Sequence, residues 1–258
     1  MNVIVCYKLS PDAGDIEVKS DGSISLEKAE WIIGGFDLHA VEAGMRLAEA
    51  TGGKVLALSA GPHQVDNSRL KKDLLSRGPD ELFLVVDDAL RDADTGVTAE
   101  VLAQAIRKMS PFDLVLCGEG SADLYFQQVG LQLGEKLGLP TLNAVSKIEP
   151  LQGRLLVERS LEDEIEVLEV PLPAVLSVTT DINQPRLPSM KEILRAGKKP
   201  VTQWALADLG LGSTLKSQVE VASVRAPHRV QRKKILIPGA PAEAAQALAG
   251  YLGKEGLV

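Results

Sequence analysis

The chain has 258 residues, which is long enough for one large domain, or for one domain with an arm. Its formal net charge is −7. The negative charge argues against a general nucleic-acid-binding protein, because such proteins need a cationic face. Hydrophobic residues make up 45% of the chain and aromatic residues only 3%, a balance that favours helices packed on a parallel sheet over a β-sandwich.

Short apolar runs alternate with helical patterns in the first half of the chain. Strands are predicted at residues 2–7, 54–59, 82–86 and 114–117, and helices at residues 38–50, 68–76, 98–109 and 126–137. Gly52 and Gly53 end the first helix, and Thr95 or Thr98 is the predicted N-cap of the third. This order predicts an α/β fold with a doubly wound, mostly parallel, Rossmann-like sheet whose strands end at one edge.

The order changes after about residue 144. The predicted elements here are a strand, a β-hairpin extension and a further strand within residues 145–179, a short helix at residues 189–196, and an amphipathic helix at residues 240–252. We therefore expect a nucleotide-binding α/β domain at residues 1–200 and a C-terminal arm at residues 201–258. The arm is too poor in apolar residues to fold alone, so it either packs on a partner subunit or lies on the surface.

The two cysteines and the apolar runs indicate the compartment. Cys6 and Cys117 lie inside apolar runs without CxxC spacing, which predicts reduced core residues. No apolar run is long enough to cross a bilayer, and acidic residues follow the first strand where a secretory leader would remain apolar. We expect a soluble, cytoplasmic protein that is not embedded in a membrane.

The sequence offers no recognised catalytic constellation. His39, His63 and His228 lack the spacing of a catalytic triad or a zinc site, and the HExxH, GxSxG and Walker motifs do not occur. His39 is more typical of a surface or boundary residue than of a ligand. We therefore do not expect an enzyme.

Polar and glycine-rich loops follow the predicted strands, at the edge where doubly wound sheets bind ligands. Glycines there allow backbone N–H groups to approach a phosphate, and a helix N-terminus favours negative charge. The candidate residues are Cys6, Gly34, Gly35, Phe36, Asp37, Ala60, Gly118, Ser121, Asp123, Gln127, Gln128, Val129 and Gly130. Tight turns explain these loops as well as a nucleotide site does. Asp123 is a candidate to bind a ribose hydroxyl, or to cap a helix that begins near Leu124.

Several blocks of the sequence resemble the beta (small) subunit of electron transfer flavoproteins, and more closely the Fix-like branch. The blocks are VIVCYKLSPD, FDLHAVEAGMRL, DLVLCGEGSADLYFQQVG and DINQPRLPSMKEILRAGKKPV. A further signature is matched by Arg159, Glu162, Asp163, Glu164, Glu166, Leu168, Pro173, Val175, Leu176 and Ser177. The stretch after about residue 206 adds little to the resemblance.

The resemblance implies a non-enzymatic electron carrier with an adenine nucleotide alpha hydrolase-like fold. Its partner would be an alpha subunit that holds most of a redox-active FAD. Electrons would come from an acyl-CoA-type dehydrogenase and pass to a membrane-associated quinone oxidoreductase. The candidate loops would line a second nucleotide site, which holds AMP in most members and a second FAD in electron-bifurcating members. Phe36 and Glu162 would lie towards the FAD of the alpha subunit.

One departure bears on the choice between AMP and a second FAD. Bifurcating relatives commonly have Asp-Gly-Asp-Thr-Ala-Gln-Val-Gly where this chain has residues 123–130. Leu124 replaces a glycine, and Phe126 replaces a hydroxyl that contacts phosphate. We therefore favour AMP.

The resemblance also implies a docking loop at residues 187–199. Met190 takes the position of the apolar residue that anchors in a dehydrogenase, and Arg195 would attract an acidic face of that partner. An ordinary short helix with a basic end is the simpler alternative. For the whole chain, the alternative is a non-redox regulatory protein that binds an adenine nucleotide, with the same sheet.

Overall fold

The computed structural model describes residues 1–109, 111–212, 215–227 and 234–258. The strands are β1 (Val3–Cys6), β2 (Leu9–Pro11), β3 (Glu17–Val18), β4 (Ile24–Ser25), β5 (Trp31–Ile33), β6 (Val55–Gly61), β7 (Glu81–Val86), β8 (Leu114–Gly118), β9 (Thr141–Leu151), β10 (Arg154–Ser160), β11 (Ile165–Pro171), β12 (Ala174–Val178) and β13 (Val201–Trp204). The helices are α1 (Gly35–Thr51), α2 (Ser68–Ser76), α3 (Thr95–Lys108), α4 (Val129–Leu137), α5 (Met190–Ala196) and α6 (Pro241–Lys254).

Within the described residues, nine strands form one sheet in the order β11-β10-β9-β12-β8-β1-β6-β7-β13. In this spatial order, every neighbouring pair between β9 and the edge strand β13 is parallel. At the other end of the sheet, β10 pairs antiparallel with both β9 and β11. The chain moves outward from β1 through β6 to β7, and then returns to place β8 on the other side of β1. The doubly wound α/β prediction is confirmed, with the reversal of strand order between β1 and β8.

Both faces of the sheet are covered, as the apolar runs of the strands require. In β1, Val3 and Val5 point into a core cluster that includes residues of α1 and α2, whereas Ile4 and Cys6 point into a cluster with α3 and α4. Val5 lies beside Leu116 of β8. The alternation of side chains along a strand therefore divides the core into two layers.

The sequence-based bounds of three helices are wrong by three residues at their N-termini. The first helix begins at Gly35 rather than at residue 38. The helix predicted from residue 126 begins at Val129, because Tyr125 (φ 48°) and Gln127 (φ 56°) have left-handed backbone conformations that a right-handed helix excludes. Asp123 therefore does not cap a helix near Leu124. The third helix begins at Thr95, and its N-cap is Asp94 rather than either threonine, since Asp94 accepts a hydrogen bond from the N–H of Val97.

Short strands outside the predicted set complete the fold. β2 pairs with β5 and β3 with β4, in two small antiparallel sheets. The predicted domain boundary after residue 200 lies directly before β13, which pairs with β7 in the main sheet. The helix α6 contains no buried residue. The division into domain and arm stays a prediction.

The outermost strand at the hairpin end of the sheet is β11. Its side chains alternate between two faces, and Ile165 and Val167 are 65% and 58% exposed. The acidic turn at residues 162–164 joins it to β10. No helix among the described residues has the length and apolar character that a membrane span needs.

Candidate functional site

The crevice between the ends of β1 and β8 lies at the point where the strand order reverses. β1 ends at Cys6 and β8 ends at Gly118, and α1 begins near both with an exposed Gly35 after the N-cap Gly34. Doubly wound sheets bind ligands outside the carboxyl ends of the strands at such a reversal. The N-terminus of α1 adds backbone N–H groups and a favourable dipole for an anion.

Asp37 lies at the base of this crevice and is only 7% exposed. Its carboxylate accepts a hydrogen bond from the N–H of Lys8 at 2.8 Å, and another from the N–H of Gly118. Burial nevertheless raises the pKa of Asp37 to about 7. A carboxyl group on the α1 end of the crevice is thus partly neutral near neutral pH.

Two of the predicted glycines leave room for this carboxyl group. A Cβ on Gly34 would lie 2.6 Å from Oδ2 of Asp37, and a Cβ on Gly118 would lie 2.7 Å from Oδ1. The Gly118 Cβ would also lie 2.9 Å from the Cβ of Phe36. A Cβ at Gly118 would push α1 away from β8, whereas a Cβ at Gly34 would displace the carboxyl group of Asp37.

The loop between β8 and α4 folds back over the crevice. Lys8 Nζ lies 2.6 Å from Oδ2 of Asp123, and the rings of Phe36 and Tyr125 have centroids 5.2 Å apart. Burial disfavours the charge of Asp123, but hydrogen bonds from Lys8 and Ser121 hold its pKa below the ordinary value. An ion pair and an aromatic contact therefore connect β1 and α1 to this loop.

The structure brings most of the other predicted residues to the same edge. Cys6 and Cys117 are free, buried neighbours, and a hydrogen bond with Cys117, together with burial, raises the pKa of the Cys6 thiol. The hydroxyl of Ser59, next to Ala60, donates to the carbonyl of Tyr7 at 2.8 Å and joins the ends of β6 and β1. The expectation of reduced core cysteines agrees with this geometry.

The α4 end of the loop contributes Gln127, Gln128, Val129 and Gly130. The two glutamines are exposed in front of α4, whereas Gly130 is buried. A Cβ on Gly130 would lie 2.1 Å from Oγ of Ser177 in β12. Glycine at this position lets α4 approach the sheet, so its role in the structure is close packing.

Glu162 and the docking residues lie elsewhere. Glu162 is in the exposed turn between β10 and β11, and β9 and β12 separate those strands from β8. Met190 and Arg195 belong to α5 and are both exposed. The approach of Glu162 to a flavin, and docking through α5, concern other chains and stay predictions.

Lys8 and Tyr125 contact the candidate site residues but are not singled out by the sequence, although Lys8 follows the first predicted strand and Tyr125 lies within residues 123–130. The position of Lys8, two residues beyond the end of β1, was the available signal, because that edge of the sheet binds ligands. Tyr125 gave no such signal, since its contact with Phe36 depends on how the loop folds back. Arg159 of the matched signature is bound locally, to Glu166 at 2.9 Å and to Asn143.

The two histidines in the described part of the chain make local contacts, away from the crevice. Nδ1 of His39 lies 2.9 Å from the carbonyl oxygen of Asn183, His63 pairs with Asp88, and His228 lies outside the described residues. The described part of the chain holds no group of three or more His, Cys, Asp or Glu residues that could bind a metal ion. A cavity of about 340 Å³ lies beyond β7 and β13, lined by Asp87, Ala89, Val97, Leu206, Ala207, Leu211, Gly212, Leu215 and Ser217. Of these two places, the β1–β8 crevice is the candidate for a nucleotide site, because the N-terminus of α1 and the Lys8–Asp123 ion pair lie there. The assignment stays a prediction.

The first turn of α1 is the part of the crevice that could take an anionic group. A Cβ on the exposed Gly35 would meet no atom within 4 Å, so the first turn of α1 is open to a ligand. Lys8 and Ser121 lie nearby, where both contact Asp123. A model of the electron transfer flavoprotein domain matches residues 22–209, a range that includes α1, the β8–α4 loop and α5. Members of that family are flavin-associated electron carriers. The chain belongs to the electron transfer flavoprotein domain family.

Proposed function

We propose that this chain is the beta subunit of a heterodimeric electron transfer flavoprotein, of the Fix-like branch. It carries electrons from an acyl-CoA-type dehydrogenase to a quinone oxidoreductase, together with an alpha subunit. The observation that carries the proposal is the convergence of α1, β1 and the β8–α4 loop at the reversal of strand order, within the range matched by the family. The acidic signature at residues 159–177 supports the beta rather than the alpha subunit.

The β1–β8 crevice would hold AMP, with its phosphate at the first turn of α1. The aromatic contact between Phe36 and Tyr125 narrows the crevice, and Leu124 and Phe126 are 48% and 56% exposed beside it. A second FAD would have to displace these bulky side chains and would lack the hydroxyl that Phe126 replaces. These features support AMP over a second FAD.

The residues of the crevice have separable roles in this proposal. Lys8 supplies a positive charge for the phosphate, and Asp37 repels the phosphate less when its carboxyl group is neutral. Phe36 forms part of the wall towards the alpha subunit, which holds the FAD. That FAD supplies the redox chemistry, and this chain encloses it and excludes water.

The segment around α5 would bind the dehydrogenase. Leu187, Met190 and Leu194 are 86%, 75% and 69% exposed, and Met190 and Leu194 lie one turn apart on the same side of α5. Lys191, Arg195 and Lys198 are exposed basic residues of the same segment. An exposed apolar group with a basic rim suits a partner with an apolar pocket and an acidic rim.

The cofactor content of the purified heterodimer tests the proposal. Co-expression with a candidate alpha subunit should give a yellow complex, and acid extraction should release one FAD and one AMP for each heterodimer. Two FAD molecules in each heterodimer would overturn the AMP assignment and indicate an electron-bifurcating protein. A colourless chain that stays unassociated and binds or hydrolyses ATP would contradict the redox proposal and favour a regulatory protein.

A further inference from the structure

The exposed segment at residues 187–198 is tied to the body of the chain at its N-terminal end by Arg186. The guanidinium group lies between two carboxylates of α1, with Nε 2.6 Å from Glu42 Oε2 and Nη1 2.5 Å from Glu49 Oε1. Its second terminal nitrogen, Nη2, also contacts both carboxylates. Glu42 is buried, and it further accepts a hydrogen bond from Arg46 at 2.7 Å. Such paired, directed contacts hold an arginine in one orientation.

Lys199 ties the other end of the same segment. Its ammonium group donates to the carbonyl oxygens of Leu75, Gly78 and Pro79 at 2.9, 2.8 and 2.6 Å. These carbonyls belong to the end of α2 and the turn that follows it, where helical carbonyls lack partners within the helix. Ala196, only 1% exposed, packs into the core between the two ties. Leu187, Met190 and Leu194 nevertheless remain exposed although the ends of the segment are fixed.

The N-terminal tie leads to the same helix that forms the crevice. Asn183 Nδ2 donates to the carbonyl oxygen of His39, whose ring nitrogen contacts the carbonyl of Asn183 in return. Glu42 and Glu49 lie further along α1, and the first turn of α1 contains Phe36 and Asp37. One continuous helix therefore carries the crevice at its N-terminus and holds the segment along its length.

We propose that Arg186 and Lys199 are positioning residues that preform the docking segment and set its place relative to the crevice. This inference rests on the proposed docking of a dehydrogenase at Met190. A segment that is already ordered loses less conformational entropy when its partner binds. The two ties should therefore affect the affinity for the dehydrogenase, and should leave the intrinsic redox chemistry unaltered.

Hydrogen exchange and steady-state kinetics of the holo heterodimer test this inference. Arg186→Met should speed amide exchange at residues 187–198 and raise the KM for the reduced dehydrogenase about tenfold, with kcat and flavin content unchanged. Lys199→Met should do the same. Arg186→Lys keeps the charge but not the paired contacts, so it should restore only part of the affinity. Arg69→Met, which removes the arginine of the exposed Arg69–Glu30 pair, is the matched control and should change neither quantity.

If Arg186→Met does not fold, Glu49→Gln gives a second measurement, because it weakens only the contact of Arg186 with the exposed Glu49. Unchanged amide exchange in these variants would show that Arg186 and Lys199 do not order residues 187–198. Faster exchange with an unchanged KM would overturn the positioning role. Met190→Ala separates the two proposals, because it should raise the KM without changing exchange. An unchanged KM in Met190→Ala would show that docking at this segment, and the inference built on it, is wrong, whatever the exchange result.

Discussion

Asp37 shows how a single buried carboxyl group can join two elements and tune a binding site. Its two oxygens face backbone N–H groups at the ends of β1 and β8, so the side chain holds α1 against the sheet edge. The same burial makes the charged form costly, which is why the pKa lies near 7 rather than near that of a free aspartate. Its charge therefore changes within the physiological range.

The raised pKa of Asp37, about 7, predicts a pH-dependent stability. Between about pH 4 and pH 7 the folded chain keeps a proton that the unfolded chain has released, so stability falls as pH rises through this window. The slope from this group should be roughly 1 kcal/mol per pH unit. Urea unfolding at several pH values should show a shallower slope for Asp37→Asn than for the unmodified chain.

Asp163→Asn, in the exposed hairpin turn, is the control for this measurement and should keep the original slope. If Asp37→Asn and Asp163→Asn had the same slope, Asp37 would not be the titrating group.

At the residue scale, the sequence predicts the site where it depends on position in the fold. Gly34, Asp37 and Gly118 could be predicted as site residues, because the loops after parallel strands meet at one edge of the sheet. The ion pair of Lys8 with Asp123 was not, since it depends on a loop whose backbone turns into the left-handed region at Tyr125. No local pattern of residue types predicts that conformation for a tyrosine.

Among the elements, α4 depends on glycine for its close approach to the sheet. A Cβ on Gly134 would lie 1.7 Å from Oγ1 of Thr141 in β9, a distance that no small adjustment relieves. Gly250 in α6 is also inside a helix, but a Cβ there would meet no atom within 4 Å. The two glycines thus separate packing from helix propensity.

Gly134→Ala should destabilise the chain by about 1–3 kcal/mol, because α4 must move away from β9 and β12. Gly250→Ala should be neutral, or should stabilise α6 by up to about 1 kcal/mol, since alanine is the better helix former. Equilibrium unfolding in urea measures both changes. Equal losses in the two variants would contradict the role of close packing at α4.

The long elements follow from the sequence, whereas the short ones do not. β1, β6, β7 and β8 are buried apolar runs, which apolar periodicity detects. The strands between residues 9 and 33 contain only two or three residues each, too few to show a period. β13 has four residues and forms only because β7 offers an open edge to pair with.

At the scale of the whole molecule, Asp94 connects the C-terminal stretch to the α/β body. Its Oδ1 caps α3 through the N–H of Val97 at 2.8 Å, and its Oδ2 accepts the N–H of Gln218 at 2.6 Å. Its own N–H donates to Ser217 Oγ. These hydrogen bonds, the first of them from Val97, lower the pKa of Asp94, so the carboxylate stays charged.

Asp94→Ala should therefore have two effects where loss of an ordinary N-cap has one. Stability should fall by about 1 kcal/mol through loss of the cap, and amide exchange at residues 217–219 should rise. Asn67→Ala removes the cap of α2, where Oδ1 of Asn67 accepts the N–H of Arg69, and should lower stability alone. If residues 217–219 exchanged equally fast in both variants, Asp94 would not hold the C-terminal stretch.

The exposed edge of β11 bears on whether copies of the chain associate with one another. An edge strand can pair with a strand from another copy of the chain, and the exposed side chains of Ile165 and Val167 favour such association. Glu169 follows Ile165 and Val167 on the same face of β11, and the acidic turn at residues 162–164 lies before them, so charged groups flank the apolar pair. We therefore expect the acidic residues of this hairpin to lower the tendency of newly made chains to pair edge to edge.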